Sequence, residues 1–169
     1  MSPLWENKEI FYFLYLNDLV QIKSPLRRQC SIHITNLSDR FTLENPRYVG
    51  SYICAVFAKT PRTGRGFSGI STYDLFNGFT EEASEQIVVL FKVPYDLNFK
   101  ANEYAVGVFD VSEKLDKFNY ENLTKSMEKR ITKGQAKGPS LIHKDHKVAI
   151  RATMSDCTDP IIKVHISDN

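Results

Sequence analysis

Polar and apolar residues alternate along much of this chain. Cys30, Ile32 and Ile34 alternate with Ser31, His33 and Thr35, the period of two that burial on one face imposes on a strand. SYICAVFAK (51–59), GFSGISTYDLF (66–76), QIVVLFKV (86–93) and EYAVGVFD (103–110) read as further strands. HKVAIRATM (146–154) and IIKVHIS (161–167) alternate clearly, and the SDCTDP stretch between them is turn chemistry, so the pair predicts an antiparallel hairpin. Short strands separated by turn signals predict a mainly β protein with a β-sandwich core.

Two places look helical. One is the N-terminal segment, residues 1–25, which ends at Ser24-Pro25. The other is 112–127, where Ser112 is placed to cap a helix that turns Leu115, Phe118, Leu123 and Met127 inward. ITKGQAKGPS (131–140) reads as a flexible basic loop. No internal repeat and no linker divides the rest, so the chain is expected to be an N-terminal helical segment (1–25) followed by one sandwich domain (26–169).

Composition adds little to the fold and removes several functions. The chain has 169 residues, enough for one domain with a sizeable core. Its formal net charge of +2 gives no field that would argue for nucleic acid. Three cysteines (Cys30, Cys54 and Cys157) form no metal-type spacing and imply buried, reduced thiols. The apolar run Ile10–Leu16 follows an acidic WENKE and precedes no small-residue cleavage site, so it does not read as a signal peptide. It is also too short to span a bilayer. Eleven Phe and eight Tyr are a high aromatic share; such residues suit strands and, equally, membrane interfaces.

Motifs for catalysis are weak. Gly64-Arg65-Gly66-Phe67-Ser68-Gly69 matches GxGxxG, but a strand-like ISTYDLF follows where a dinucleotide site needs a helix. The glycines are better explained by close strand packing. His143 and His146 are two candidate ligands on a polar stretch, whereas zinc needs three or four; they are expected to be exposed loop residues. His33 and His165 fall on the polar phase of their strands. No nucleophile–base set and no carboxylate pair stands out. The expectation is a protein without catalysis, metal or cofactor.

The segment Val88–Asp110 is the most informative. An apolar strand ends at Val93-Pro94, and the loop beyond it carries Tyr95, Phe99 and Tyr104 among polar residues. Proline stops the ladder and fixes the turn. Aromatics on such a loop, with Lys92 and Lys100 nearby, suit lipid headgroups, carbohydrate or a protein partner; the alternative is that they fold back onto the sandwich.

VLFKVPYDLNFKANEYAVGVFD, together with TGRGFSGISTYDLF (63–76), HKVAIRATMSDCTDPIIKVHIS (146–167) and RQCSIHITNLS (28–38), resembles the actinoporins, pore-forming cytolysins of sea anemones, and more closely the actinoporin-like proteins of vertebrates. The resemblance covers about residues 27–169. It implies a β-sandwich flanked by two α-helices that binds phosphocholine headgroups, typically of sphingomyelin, beside an aromatic loop. The N-terminal helix would then enter the bilayer, and several copies would line a cation-conducting pore. A non-perforating lectin-like or lipid-binding module on the same sandwich is the alternative. The resemblance further implies a soluble monomer that self-associates on the membrane of a target cell, secreted or released without a recognisable signal peptide; the missing signal also fits a cytoplasmic chain.

Carried onto this sequence, the headgroup positions are Ser51, Ser68, Lys92, Pro94, Tyr120, Thr124 and Lys125. The interfacial aromatics are Tyr95, Phe99 and Tyr104. Pro94 and Tyr120 keep the family's residue type, and Phe99 stands for a tryptophan. Lys92 replaces a small hydroxyl residue, Ser68 a small apolar one, and Thr124 and Lys125 two tyrosines. Residues 4–22 as a helix would reach about 28 Å, close to the thickness of a hydrocarbon core, although Ile10–Leu16 is apolar all round.

Overall fold

The computed structural model describes residues 9–11, 29–50, 57–58 and 66–169. In chain order the first strands are β1 (Glu9–Phe11), β2 (Gln29–Asn36), β3 (Phe41–Gly50), β4 (Phe57–Ala58) and β5 (Phe67–Asn77). Next come β6 (Glu82–Val93), β7 (Glu103–Asp110), helix α1 (Tyr120–Ser126) and a single 3-10 turn at Glu128–Arg130. The chain closes with β8 (Ile131–Gln135), β9 (Leu141–Lys144), β10 (Val148–Met154) and β11 (Ile161–Asp168).

These strands form two sheets. One has the order β1-β2-β11-β10-β9, with β4 also paired to β2, and the other has the order β3-β5-β6-β7-β8. The predicted β10–β11 hairpin is antiparallel, and β11 then pairs with β2 in parallel, joining the two ends of the described chain. Alternation puts Ile34, Ile150, Ile162 and Val164 of the first sheet against Tyr73, Ile87, Val89 and Phe91 of the second, in one buried core.

β6 does not alternate. Its Gln86–Phe91 run is buried on both faces because α1 and its flanking segment cover the outer face of the second sheet. A second apolar cluster lies there, in which Tyr120 and Leu123 of α1 and the preceding Leu115 pack on Ile70, Leu90 and Ala105. Gly107 makes the close crossing possible: a Cβ there would come within 2.7 Å of the Arg130 carbonyl oxygen.

Three expectations need correction, and one strand was not foreseen. The described part of the N-terminal segment, Glu9–Phe11, is a strand paired antiparallel with β2 and not a helix; the rest of 1–25 lies outside the described residues. An exposed edge of β2 offers backbone groups that an extended segment satisfies. The second helix, 7 residues long, is less than half of the 112–127 reading. Asn119 caps it by accepting the Asn122 N–H at 2.8 Å, while Ser112 closes a turn on Asp110. Asp and Asn compete with helical bonding and stop it where they stand. Residues 131–135 of the expected loop are strand β8, paired with β7. Finally, β3 was not predicted, because Asn45-Pro46 interrupts it. A bulge between Glu44 and Arg47, with Asn45 at φ 48°, carries the strand past the proline.

The thiols and histidines also differ in part from expectation. Cys30 is buried, but Cys157 is exposed, and Cys54 lies outside the described residues. His143 sits on β9, half-buried, 2.9 Å from the Thr132 hydroxyl of β8, whereas His146 is exposed in the turn that follows. The first sheet therefore touches the second along this edge.

Polar groups fix the covering segment. Arg130 grips Glu113 with both terminal nitrogens, and its guanidinium lies 4.5 Å from the Phe109 ring centroid. Hydrogen bonds from Arg130 hold the Glu113 carboxyl below the usual glutamate range. A depressed folded-state value stabilises the fold above the unfolded value, and this contribution is lost as the pH falls through the folded one. Arg130→Met is therefore expected to lower Tm by about 3 °C at pH 7. The gap to the parent protein should close on acidification below about pH 4; thermal unfolding across pH checks both points.

Candidate functional site

The β6–β7 connection forms an aromatic tip at one end of the sandwich. β6 stops at Val93 because Pro94 has no N–H for the ladder. The Asp96 side chain accepts the Asn98 N–H at 2.8 Å, and its carbonyl accepts those of Phe99 and Lys100 at 3.3 Å. This tight turn holds Phe99 out from the body with 86% of its surface exposed, beside Tyr95 at 53%.

The tip is anchored from below. Asn102 is fully buried, and its side-chain amide donates to the carbonyls of Ser155 (3.2 Å) and Cys157 (2.9 Å) in the β10–β11 turn. Its own carbonyl accepts the Ala136 N–H at 2.8 Å, just past β8. One residue thus ties the aromatic loop to both sheets. On the other flank, a Cβ on Gly66 would collide with the Val93 carbonyl oxygen and come within 3.0 Å of Pro94 Cα. This approach accounts for Gly66 of the GxGxxG match, whose Gly64 lies outside the described residues. Gly66→Ala should cost about 2 kcal/mol of stability through the displaced junction, visible as a lower urea midpoint.

Beside the tip, on the outer face of the second sheet, a cleft of about 370 Å³ opens between α1 and β8. Strand register builds its floor. Ser68, Lys92, Glu103 and Gln135 stand opposite one another in a single row across β5, β6, β7 and β8. Of these, Glu103 and Gln135 line the cleft, joined by Lys133 and by Tyr120, Thr124 and Lys125 of α1. Lys92 is ion-paired with Glu121, which also lines the cleft and ties the helix start to the sheet. That pair, led by the Lys92 hydrogen bond, holds the Glu121 carboxyl below its usual range. Tyr120 is buried at the helix start; burial, reinforced by the nearby Glu103 carboxylate, pushes its phenol well up. It is a neutral hydrogen-bonding group at any physiological pH.

Most residues carried over from the resemblance are near one another. Ser68 and Lys92 share the row, Tyr120, Thr124 and Lys125 share the helix, and Pro94, Tyr95 and Phe99 belong to the adjoining tip. Ser51 lies outside the described residues. Tyr104 is different: it is 1% exposed, in the main core, with its hydroxyl donating to the Ala152 carbonyl at 3.1 Å. As the second residue of β7 it points inward, opposite Phe91 of β6, so it bridges the sheets instead of facing a membrane. Glu121, Lys133, Gln135 and Asn102 were not singled out from sequence as site residues. ITKGQ holds a single apolar residue, so nothing local marked β8 with its Lys133 and Gln135, and nothing local marked Asn102.

No family model matches the chain, and none of the curated proteins does. Solved structures do. One is the lipid-binding protein Nakanori, which aligns with a TM-score of 0.57 at 10% identity, covering 92% of this chain and 78% of its own. The two share a fold. The Xerocomus chrysenteron lectin XCL aligns at a TM-score of 0.44 and 11% identity, over 83% of this chain and 97% of the lectin. The β-sandwich expectation thus stands with one short described helix instead of two. No sequence match to a family accompanies the actinoporin resemblance.

Proposed function

We propose that this protein is a non-catalytic lipid-binding module. It docks on membrane surfaces through the Tyr95–Phe99 tip and takes a zwitterionic, phosphocholine-type headgroup in the α1–β8 cleft, without perforating the bilayer. The observation that carries the reading is the tip itself: a phenylalanine 86% exposed on a loop whose base is locked by a fully buried asparagine. An exposed aromatic held rigidly is suited to the headgroup level of a bilayer and loses little entropy on insertion.

The cleft supplies the second half. It presents Glu103 and Tyr120 towards a cationic group, and Lys125 and Lys133 towards an anionic one. Both signs within one pocket of this size suit a small zwitterion better than a simple anion. Pore formation is the less favoured course. The described part of the N-terminal segment is a β-strand paired to the sandwich, and no helix among the described residues is long and apolar enough to cross a membrane. A headgroup titration tests the reading. Soluble phosphocholine should shift the backbone amide resonances of Tyr120, Thr124 and Gln135, and Lys125→Glu should weaken that response at least fivefold. Unchanged spectra at saturating phosphocholine would remove the cleft from the account.

A further inference from the structure

The outer face of the first sheet carries a diagonal of basic side chains. Alternation turns Lys163 and His165 of β11, Arg151 of β10 and Lys144 of β9 outward, and all four are exposed. Register places them in order. Lys163 and His165 are alternate residues of one strand, His165 stands opposite Arg151, and Lys144 stands opposite Ala149, two residues from Arg151. With strands about 4.8 Å apart and about 6.7 Å between alternate residues, the line from Lys163 to Lys144 spans roughly 16 Å.

Within the band itself this charge is not neutralised. β2, β9, β10 and β11 bring no carboxylate to the face, and the register of β1 places Glu9 opposite Thr35, two strands from His165. Asp145, next to Lys144, is turned to His146 at 3.0 Å, and Asp168 is held by Arg40 and Ser38. None of the ion pairs among the described residues uses Lys163, Arg151 or Lys144. A chain whose net charge is only +2 therefore collects unpaired cations on one sheet face.

We propose that this face binds a linear sulfated polysaccharide, laid diagonally across β11, β10 and β9. Three observations choose the partner. The band is narrow and flat, which fits an extended chain and offers no pocket for a small anion. It holds three permanent cations over roughly 16 Å, fewer than the about six to ten phosphate contacts that duplex-binding proteins make. The band crosses the strands and leads away from the end that carries Tyr95 and Phe99, and its exposed apolar neighbours are the aliphatic Ile142 and Ile161, not the aromatic residues that mark a bilayer interface. This inference does not depend on the lipid reading, since it concerns the opposite sheet.

The test uses the full chain and heparin as probe, with fully desulfated heparin, a duplex DNA and phosphatidylserine vesicles alongside. Heparin is expected to bind in 0.1 M salt with a salt dependence that reports about two to three released ions. Desulfated heparin should not bind. Arg151→Gln with Lys163→Gln should weaken heparin binding about tenfold or more, and Lys144→Gln alone by a smaller factor. A control with the same loss of charge elsewhere, Lys117→Gln with Lys129→Gln, should stay within about twofold of the parent. Circular dichroism confirms that these exposed replacements leave the fold intact. Absence of heparin binding would overturn the proposal, as would equal loss in the control. So would DNA or anionic vesicles binding more tightly than heparin through the same two residues.

Discussion

Phe99→Asp is expected to weaken binding to phosphocholine vesicles at least tenfold while leaving thermal unfolding unchanged. The side chain is 86% exposed at the end of a tight turn, so the fold draws little from it. Transferring such a ring from water into an apolar environment is worth about 2 kcal/mol, more than a factor of ten in affinity. An aspartate forfeits that gain and adds a charge that resists desolvation. Tyr95→Ser should act in the same direction and less strongly, because Tyr95 at 53% exposure already leans on the body. Equilibrium sedimentation with vesicles measures the loss, and a parallel melt separates it from unfolding. A Phe99→Asp protein that binds as well as the parent would take the tip out of the interface.

Asn102→Ala should have the opposite profile, with a large loss of stability and a loosened tip. Two carbonyls of the β10–β11 turn, on Ser155 and Cys157, depend on its amide. Losing these two partly buried hydrogen bonds costs about 0.5–1.5 kcal/mol each. Asn102 itself is not free of cost, since its Oδ1 is buried without a hydrogen-bond partner. The net loss is expected to be about 2 kcal/mol, read from urea unfolding. Amide exchange in residues 94–101 should rise more than in β6 or β7, because the loop loses its tie to the first sheet. Uniform exchange across both would mean that the anchor lies elsewhere.

The sandwich was legible wherever burial is one-sided. β10, β11 and β2 alternate because one face is core and the other solvent, and each was placed within two residues of its ends. β6 was legible for the opposite reason, as an apolar run covered on both faces. Reading failed where a backbone need overrode a local signal. Asn45-Pro46 reads as a break, yet β3 continues past it through a bulge. The 131–135 stretch, with one apolar residue and a glycine, reads as loop, yet the edge of β7 recruits it as β8.

The site divides in the same way. Phe99 and Tyr95 were legible because a proline after a strand forces a turn, and aromatics on a turn have little core to enter. Tyr104 was misplaced by a single feature, the start of β7 at Glu103, after which alternation sends it inward. The row Ser68–Lys92–Glu103–Gln135 exists only through register among four strands distant in sequence. No local pattern encodes it, nor the burial of Asn102 under a turn more than fifty residues away.

The most direct measurement of the central claim is sedimentation of the protein with dye-loaded phosphocholine vesicles, reading pelleted protein and released dye in the same sample. Docking through the tip and the cleft predicts saturable pelleting with the dye retained at every protein concentration. Protein left in the supernatant would contradict the docking surface, and dye released in proportion to bound protein would contradict a module that binds without perforating.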